Sequence, residues 1–162
     1  MASRGDLDTA YLKMANIWAQ LSRARRKKVG CLIVKDGMII SDGFNGTPKG
    51  FDNNCETQGW RRPIYDAMGD YQELQQGDPD ALTTKPEVLH AESNAITKLA
   101  KSTQSSDGAT MYSTCSPCVE CAKLIIQAGI KRLVYGEMYK NNDGLTLLSK
   151  AAISINHNKL DT

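Results

Sequence analysis

From His90 to Asn156 the chain alternates between helical and strand signals, and that alternation restricts its fold more than any other feature. "HAESNAITKLAK" reads as a helix, "ATMYST" as a strand and "CVECAKLIIQAG" as a helix closed by Gly129. "KRLVYG" is the next strand, "GLTLLSKAA" another helix and "ISIN" a last strand. Short apolar strands separated by helices pair in parallel through right-handed crossovers. The expected class is therefore α/β, a mixed sheet between layers of helices. Upstream, Asp6 to about Arg23 carries Leu7, Ala10, Tyr11, Met14, Ile17, Trp18 and Leu21 at three- and four-residue steps. This predicts an amphipathic helix capped by Asp6 or Asp8, with that stripe in the core. Val29 to Lys35 and Met38 to Ile40 flank Asp36-Gly37, the signature of an antiparallel hairpin.

Between residues 45 and 87 no period is sustained, and Gly, Pro, Asn and Asp are frequent. A short helix around Tyr65 to Gln76 is expected there. Loops of this length are more often functional than idle, so the segment is a candidate lid or effector site. A length of 162 residues predicts a single domain over 1–162. No apolar run approaches the roughly 18–20 residues of a membrane span, and the charged start lacks the apolar core of a secretion signal. The expected location is the cytoplasm, that of the host for a viral protein. Five cysteines at irregular spacing do not make a disulfide framework; in a reducing compartment clustered thiols bind metal or react. A net charge of +2 and 6% aromatic residues argue against a nucleic-acid partner, which calls for a basic groove with stacking rings.

"SPCVEC", Ser116 to Cys121, admits three readings: a redox dithiol, a structural zinc clip, or half of a catalytic metal site. Cys118 and Cys121 share one face at a helix start, where the positive end of the helix dipole favours thiolates. A redox pair belongs after the first strand of a βαβ pattern and leaves the rest of the chain unexplained. That rest includes His90 and Glu92, opening the preceding helix. Residues two apart do not share a helix face, so these two converge only because they lie at the helix mouth. One histidine and two cysteines supply three ligands and leave the fourth tetrahedral position of Zn²⁺ for water. Glu92, a carboxylate that is not a ligand, is then the candidate catalytic acid–base. Alone, CxxC or HxE is weak. In this order, H-x-E before P-C-x-x-C, they match the pattern of zinc deaminases acting on nucleobases.

"HAESNAI", "MYSTCSPCVECAKLIIQAGIK" and the upstream "GFNGTPKG" resemble the deoxycytidylate deaminase family of the cytidine deaminase-like superfamily. The resemblance spans about Val29 to Tyr139. It implies a three-layer α/β/α sandwich around a five-stranded mixed sheet, hydrolysis of dCMP to dUMP with one catalytic Zn²⁺, and a homohexamer. It also implies activation by dCTP and inhibition by dTTP, with Mg²⁺ accompanying the triphosphate, near the "GFNG" turn at Gly43, Phe44, Gly46 and Lys49. In the resembling family the asparagine at Asn45 meets the sugar hydroxyl, Thr47 lies among nucleotide-binding residues, and backbone contacts fall at Ala91 and Cys118. A tyrosine near the phosphate corresponds to Tyr139, although "YKNND" follows the family only loosely, and Ser116 lines the pocket.

The basic run "SRARRKK", Ser22 to Lys28, reads mainly as a solvated helix end, with Arg26 singled out as a bidentate phosphate ligand. Cys31 is expected in the core, and Cys115 sits on the wrong strand step to be a ligand. Cys55 lies in the long loop with no nearby histidine for a second zinc. Two rivals stand beside dCMP deamination: a deaminase of another cytosine nucleoside, nucleobase or RNA base, and a binding protein with structural zinc closed by Cys115, Cys55 or His157.

Overall fold

The structure is a computed structural model that describes residues 1–58, 64–65, 68, 71–72 and 82–160. Helix α1 spans Arg4–Ala19 and leads into the hairpin of β1 (Gly30–Lys35) and β2 (Met38–Phe44). Asp36 and Gly37 turn that hairpin with φ of 50° and 76°, the left-handed pair a two-residue turn needs. Short strands follow: β3 (Glu56–Gln58), β4 (Ile64–Tyr65), β5 (Tyr71–Gln72) and β6 (Leu82–Thr84). Then α2 (Ala91–Leu99), β7 (Thr110–Cys115), α3 (Val119–Gln127), β8 (Arg132–Glu137), α4 (Asp143–Lys150) and β9 (Ser154–His157) alternate as expected.

The main sheet has five strands in the order β2-β1-β7-β8-β9. β1 runs antiparallel to β2 and β7, whereas β7, β8 and β9 are mutually parallel. This is the three-layer mixed sheet the sequence predicts. One face packs α2, α3 and α4 over a core that includes Cys31, Ile33, Met111, Ile125, Leu133 and Leu148, all fully buried. The other carries α1 on Leu32, Tyr112 and Val134. Among the described residues, no helix is long and apolar enough to cross a membrane.

Three expectations are corrected. Ser3, not Asp6 or Asp8, caps α1: the Asp6 N–H donates to Ser3 Oγ at 3.2 Å and the Ser3 N–H to Asp6 Oδ2 at 2.9 Å, a reciprocal capping box. The helix ends at Ala19, so all of "RARRKK" follows it as irregular chain. The predicted core stripe also faces the wrong way. Leu7, Met14, Ile17 and Leu21 are exposed, and the buried face is Asp8, Leu12, Ala15 and Ala19. The reason is a buried ion pair. Arg132 donates to Asp8 Oδ1 and Oδ2 at 2.8 and 2.6 Å, and Tyr112 Oη donates to Oδ1 at 2.8 Å. A helix with apolar side chains on two faces has two packing rotations open to it, and this fork of charge selects one.

The third correction concerns the segment expected to be unstructured. β3 pairs with β6 and β4 with β5, both antiparallel, and a bridge joins Gly46 to Leu89. Tyr65, Tyr71 and Gln72 are therefore extended where a helix over Tyr65 to Gln76 is predicted; the remainder of that span lies outside the described residues.

Candidate active site

Two helix mouths on one face of the sheet build the site. His90 is the N-cap of α2 (φ −71°, ψ 159°) and Cys118 that of α3 (φ −72°, ψ 172°). Both are extended, and neither makes a side-chain cap hydrogen bond. Their side chains are thus left to serve something other than their own helix. Pro117 precedes Cys118, and β7 ends at Cys115, so a three-residue step carries the chain from strand to helix at the carboxyl end of the parallel strands. His90 Nδ1 stands 3.5 Å from Cys118 Sγ and 3.4 Å from Cys121 Sγ. The three ligand atoms lie within 4.8 Å of one another. Tetrahedral bonding with Zn–S of about 2.3 Å and Zn–N of about 2.1 Å sets N and S about 3.6 Å apart, so the donor set fits zinc.

The electrostatics agree with that fit. The Cys118 thiol is pulled down to about 3, first by its hydrogen bond with Cys121 and then by His90. Cys121 is pushed up, chiefly by the hydrogen bond to Cys118, and His90 is also raised, chiefly by Cys118. Metal binding requires both sulfurs as thiolates, and Cys118 is the readier of the two to ionise. Glu92, 4% exposed, is the second residue of α2. Its Oε2 lies 3.7 Å from Cys121 Sγ, and Ser113 Oγ is 3.4 Å from Oε1. Burial raises its carboxyl above the ordinary carboxylate range. A carboxyl that holds a proton more readily than usual beside a metal-ligand set is suited to moving protons.

A cavity of about 460 Å³ is lined by His90, Ala91, Glu92 and Cys118, and also by Arg26, Lys27 and Lys140. It joins the ligand set to Arg26 and Lys140, which suit an anion, and to Lys27, whose Nζ donates to Glu137 Oε2 at 2.8 Å. Of the other sequence candidates, Asn45, Ser116 and Tyr139 line it as well, whereas Thr47, Gly43, Phe44, Gly46 and Lys49 do not. The Asn45 amide is engaged in the wall itself: Oδ1 accepts the Val29 N–H and Nδ2 donates to the Lys27 carbonyl, both at 2.8 Å. Each of those atoms retains one hydrogen-bonding site for a ligand. Ser116 Oγ accepts the Tyr139 N–H at 2.7 Å and so holds that tyrosine's backbone at the cavity. Gly43 has a packing role. A Cβ there would clash with the Ala91 carbonyl and the Ala95 nitrogen, so the close approach its lack of a side chain permits is to α2.

Sequence reasoning did not single out Lys27, Lys140 and Glu56, all of which line the cavity. Lys27 and Lys140 adjoin named candidates and differed from other surface lysines in no visible way. Glu56 stands in a stretch with no periodic signal at all. Cys31 is a core thiol as expected, and Cys115 is buried at the cavity wall outside the ligand set.

Residues 6–137 match the family model described as the cytidine and deoxycytidylate deaminase zinc-binding region. The deoxycytidylate deaminase of Enterobacteria phage T4 is 38% identical over 153 residues, covering 83% of this chain and 79% of the phage protein. The human deoxycytidylate deaminase is 33% identical over 138 residues, covering 84% of this chain and 68% of the human one. The crystal structure of the dCMP deaminase from cyanophage S-TIM5, in complex with dCMP and dUMP, superposes with a TM-score of 0.79 at 37% identity, over 97% of this chain and all of that one (100%). With residues 6–137 matched by that family model, and relatives 38% and 33% identical over 83% and 84% of its length, the chain belongs to the cytidine and deoxycytidylate deaminase family.

Proposed function

We propose that this chain, taken as one domain over residues 1–162, is a zinc-dependent hydrolase that converts dCMP to dUMP and ammonia. The observation that carries the reading is the junction of the His90, Cys118 and Cys121 set and the buried Glu92 with a cavity that also presents Arg26, Lys27 and Lys140. Zinc held by those three side chains supplies Lewis acidity that brings the pKa of water toward about 7. Glu92 would take one proton from the attacking water and deliver it to N3 of the pyrimidine, then take the second from the hydroxyl formed on C4 and pass it to the amino group, which leaves as ammonia while C4=O forms. The backbone N–H groups of Ala91 and Cys118, at the α2 and α3 mouths, would donate to the base and to the oxygen entering at C4, in line with the family resemblance. At the other end of the ligand, Arg26 is the fork for the phosphate, and Tyr139, its backbone held by Ser116, stands beside it.

The cations favour a nucleotide over a free nucleoside or base. A structural zinc site would need a fourth protein ligand. Among the described residues the metal-ligating group is His90, Cys118 and Cys121, without Cys115, Cys55 or His157. The regulatory part of the proposal is activation by dCTP and inhibition by dTTP with Mg²⁺. It falls to Phe44, Gly46 and Lys49, since Gly43 is packed on α2. A homohexamer acting in the cytoplasm completes it, with support from the family resemblance.

Ammonia release from dCMP, CMP and cytidine in parallel, with and without dCTP or Mg²⁺-dTTP, tests the whole reading. Turnover of dCMP should exceed that of cytidine at least ~10-fold in kcat/KM, the share of a charge-assisted phosphate contact. Equal rates on all three would remove the phosphate assignment. Arg26→Ala should raise the KM for dCMP and leave cytidine unchanged.

A further inference from the structure

Lys27 lines the cavity next to Arg26, yet its charge is held by an anion of the protein itself: Nζ donates to Glu137 Oε2 at 2.8 Å. The pair joins two separate walls. Lys27 belongs to the irregular segment between α1 and β1, where its carbonyl accepts the Asn45 Nδ2–H at 2.8 Å. Glu137 ends β8, and its carbonyl accepts the Ser116 N–H at 2.8 Å. From there the chain runs on into Met138, Tyr139 and Lys140, all on the cavity. Both backbones are thus fixed, and the part free to move is the pair of side chains between them. That of Glu137 is 71% exposed and that of Lys27 45%. Lys27 lines the cavity and Glu137 does not, so the carboxylate engages the ammonium from outside the wall.

An exposed lysine–carboxylate pair is a weak contact, because water and salt screen it and two long side chains must be ordered to make it. A phosphate monoester carries up to about two negative charges at neutral pH and several strong acceptor oxygens. Held beside Arg26, on the nucleotide reading given above, it is a stronger partner for an ammonium than a solvated carboxylate is. Lysine suits such an exchange, since its point charge on a flexible stem swings between partners while the backbone stays fixed. We propose that Glu137 is a positioning residue that holds Lys27 as an internal competitor of the nucleotide phosphate. The two anions exchange on Lys27, and Glu137 regains it as the nucleotide leaves. Substrate and product share their phosphate, so a firmer grip there lowers KM and retains dUMP without speeding the chemistry. Glu137 relaxes that grip.

Calorimetry on the zinc-loaded protein tests this with dUMP, deoxyuridine and inorganic phosphate as ligands. Glu137→Gln removes the charge and keeps the shape. It should tighten dUMP ~3–5-fold, the equilibrium equivalent of an exposed ion pair, and leave deoxyuridine unchanged. Inorganic phosphate should gain by the same factor. In a Lys27→Met background the gain from Glu137→Gln should vanish, because no ammonium is left to exchange. Unchanged or weaker dUMP binding by Glu137→Gln overturns the proposal, and weaker binding would make the pair a clamp between the walls. A gain that persists without Lys27 overturns it too, since plain repulsion between carboxylate and phosphate would then account for the effect. Absence of ammonia from dCMP, with the Lys27-dependent gain intact for inorganic phosphate, would sink the deaminase reading and spare this one.

Discussion

At the scale of single residues, two buried acids differ because their partners differ. Glu92 has its carboxyl raised by burial next to the ligand set, and that suits a group that must accept and return a proton. Glu92→Gln is expected to retain the fold and stoichiometric zinc, and to lower kcat by about 10²–10⁴-fold with little change in dUMP binding. Metal analysis beside steady-state kinetics checks this; a variant that keeps wild-type turnover excludes Glu92 as the base. Asp8 has its carboxyl lowered, chiefly by the Arg132 hydrogen bonds. A depressed carboxylate stabilises the fold above its unfolded value near 4, and that contribution is lost as pH falls through the folded one. Asp8→Asn should therefore cost about 3 kcal/mol at pH 7, where it leaves the buried Arg132 uncompensated. Its loss of stability between about pH 5 and 3 should also be shallower than that of the wild type, read from urea melts across that range.

At the scale of elements, the site depends on where α2 and α3 begin. The mouth of α2, which carries His90 and Glu92, is held by backbone packing: β2 lies against α2 at Gly43, where a methyl group has no room. Gly43→Ala should destabilise the fold by about 2 kcal/mol and, by lifting that mouth, weaken zinc binding as well. Parallel chelator titration and thermal melts separate the two effects; an unchanged zinc affinity would show that β2 does not position the mouth. The same scale shows why α1 misled. Its residues repeat correctly for a helix, and the helix is there, but periodicity reports a face only when one face is apolar. Leu7, Met14, Ile17 and Leu21 make one such face, Leu12, Ala15 and Ala19 another. The choice rests with Arg132, 124 residues away from Asp8 in the chain. The short β3–β6 and β4–β5 ladders escaped notice for a related reason: two or three residues per strand are too few for any period.

For the whole molecule, zinc would act as a cross-link between α2 and α3, whose ligands lie 28 and 31 residues apart in sequence. Binding that requires the folded arrangement stabilises it in proportion to the logarithm of the metal's excess over its dissociation constant. Chelation is expected to lower the melting temperature by about 5–10 °C and abolish turnover, with both restored by added zinc. A melting temperature indifferent to chelation would contradict the three-ligand site.

By itself the sequence determined the parts of this protein that are local or strictly spaced. These are the crossover-bearing half of the sheet, the Asp36-Gly37 hairpin, and the H-x-E and P-C-x-x-C groups whose ligands must stand at helix mouths. The tertiary structure alone decided which face of α1 is buried, that Gly43 serves packing, and that Glu56, Lys27 and Lys140 share a cavity with Glu92. Helix phase, turn chemistry and ligand spacing are written in neighbouring residues. A buried charge or a cavity wall is defined by its partners, and the chain brings those together only by folding.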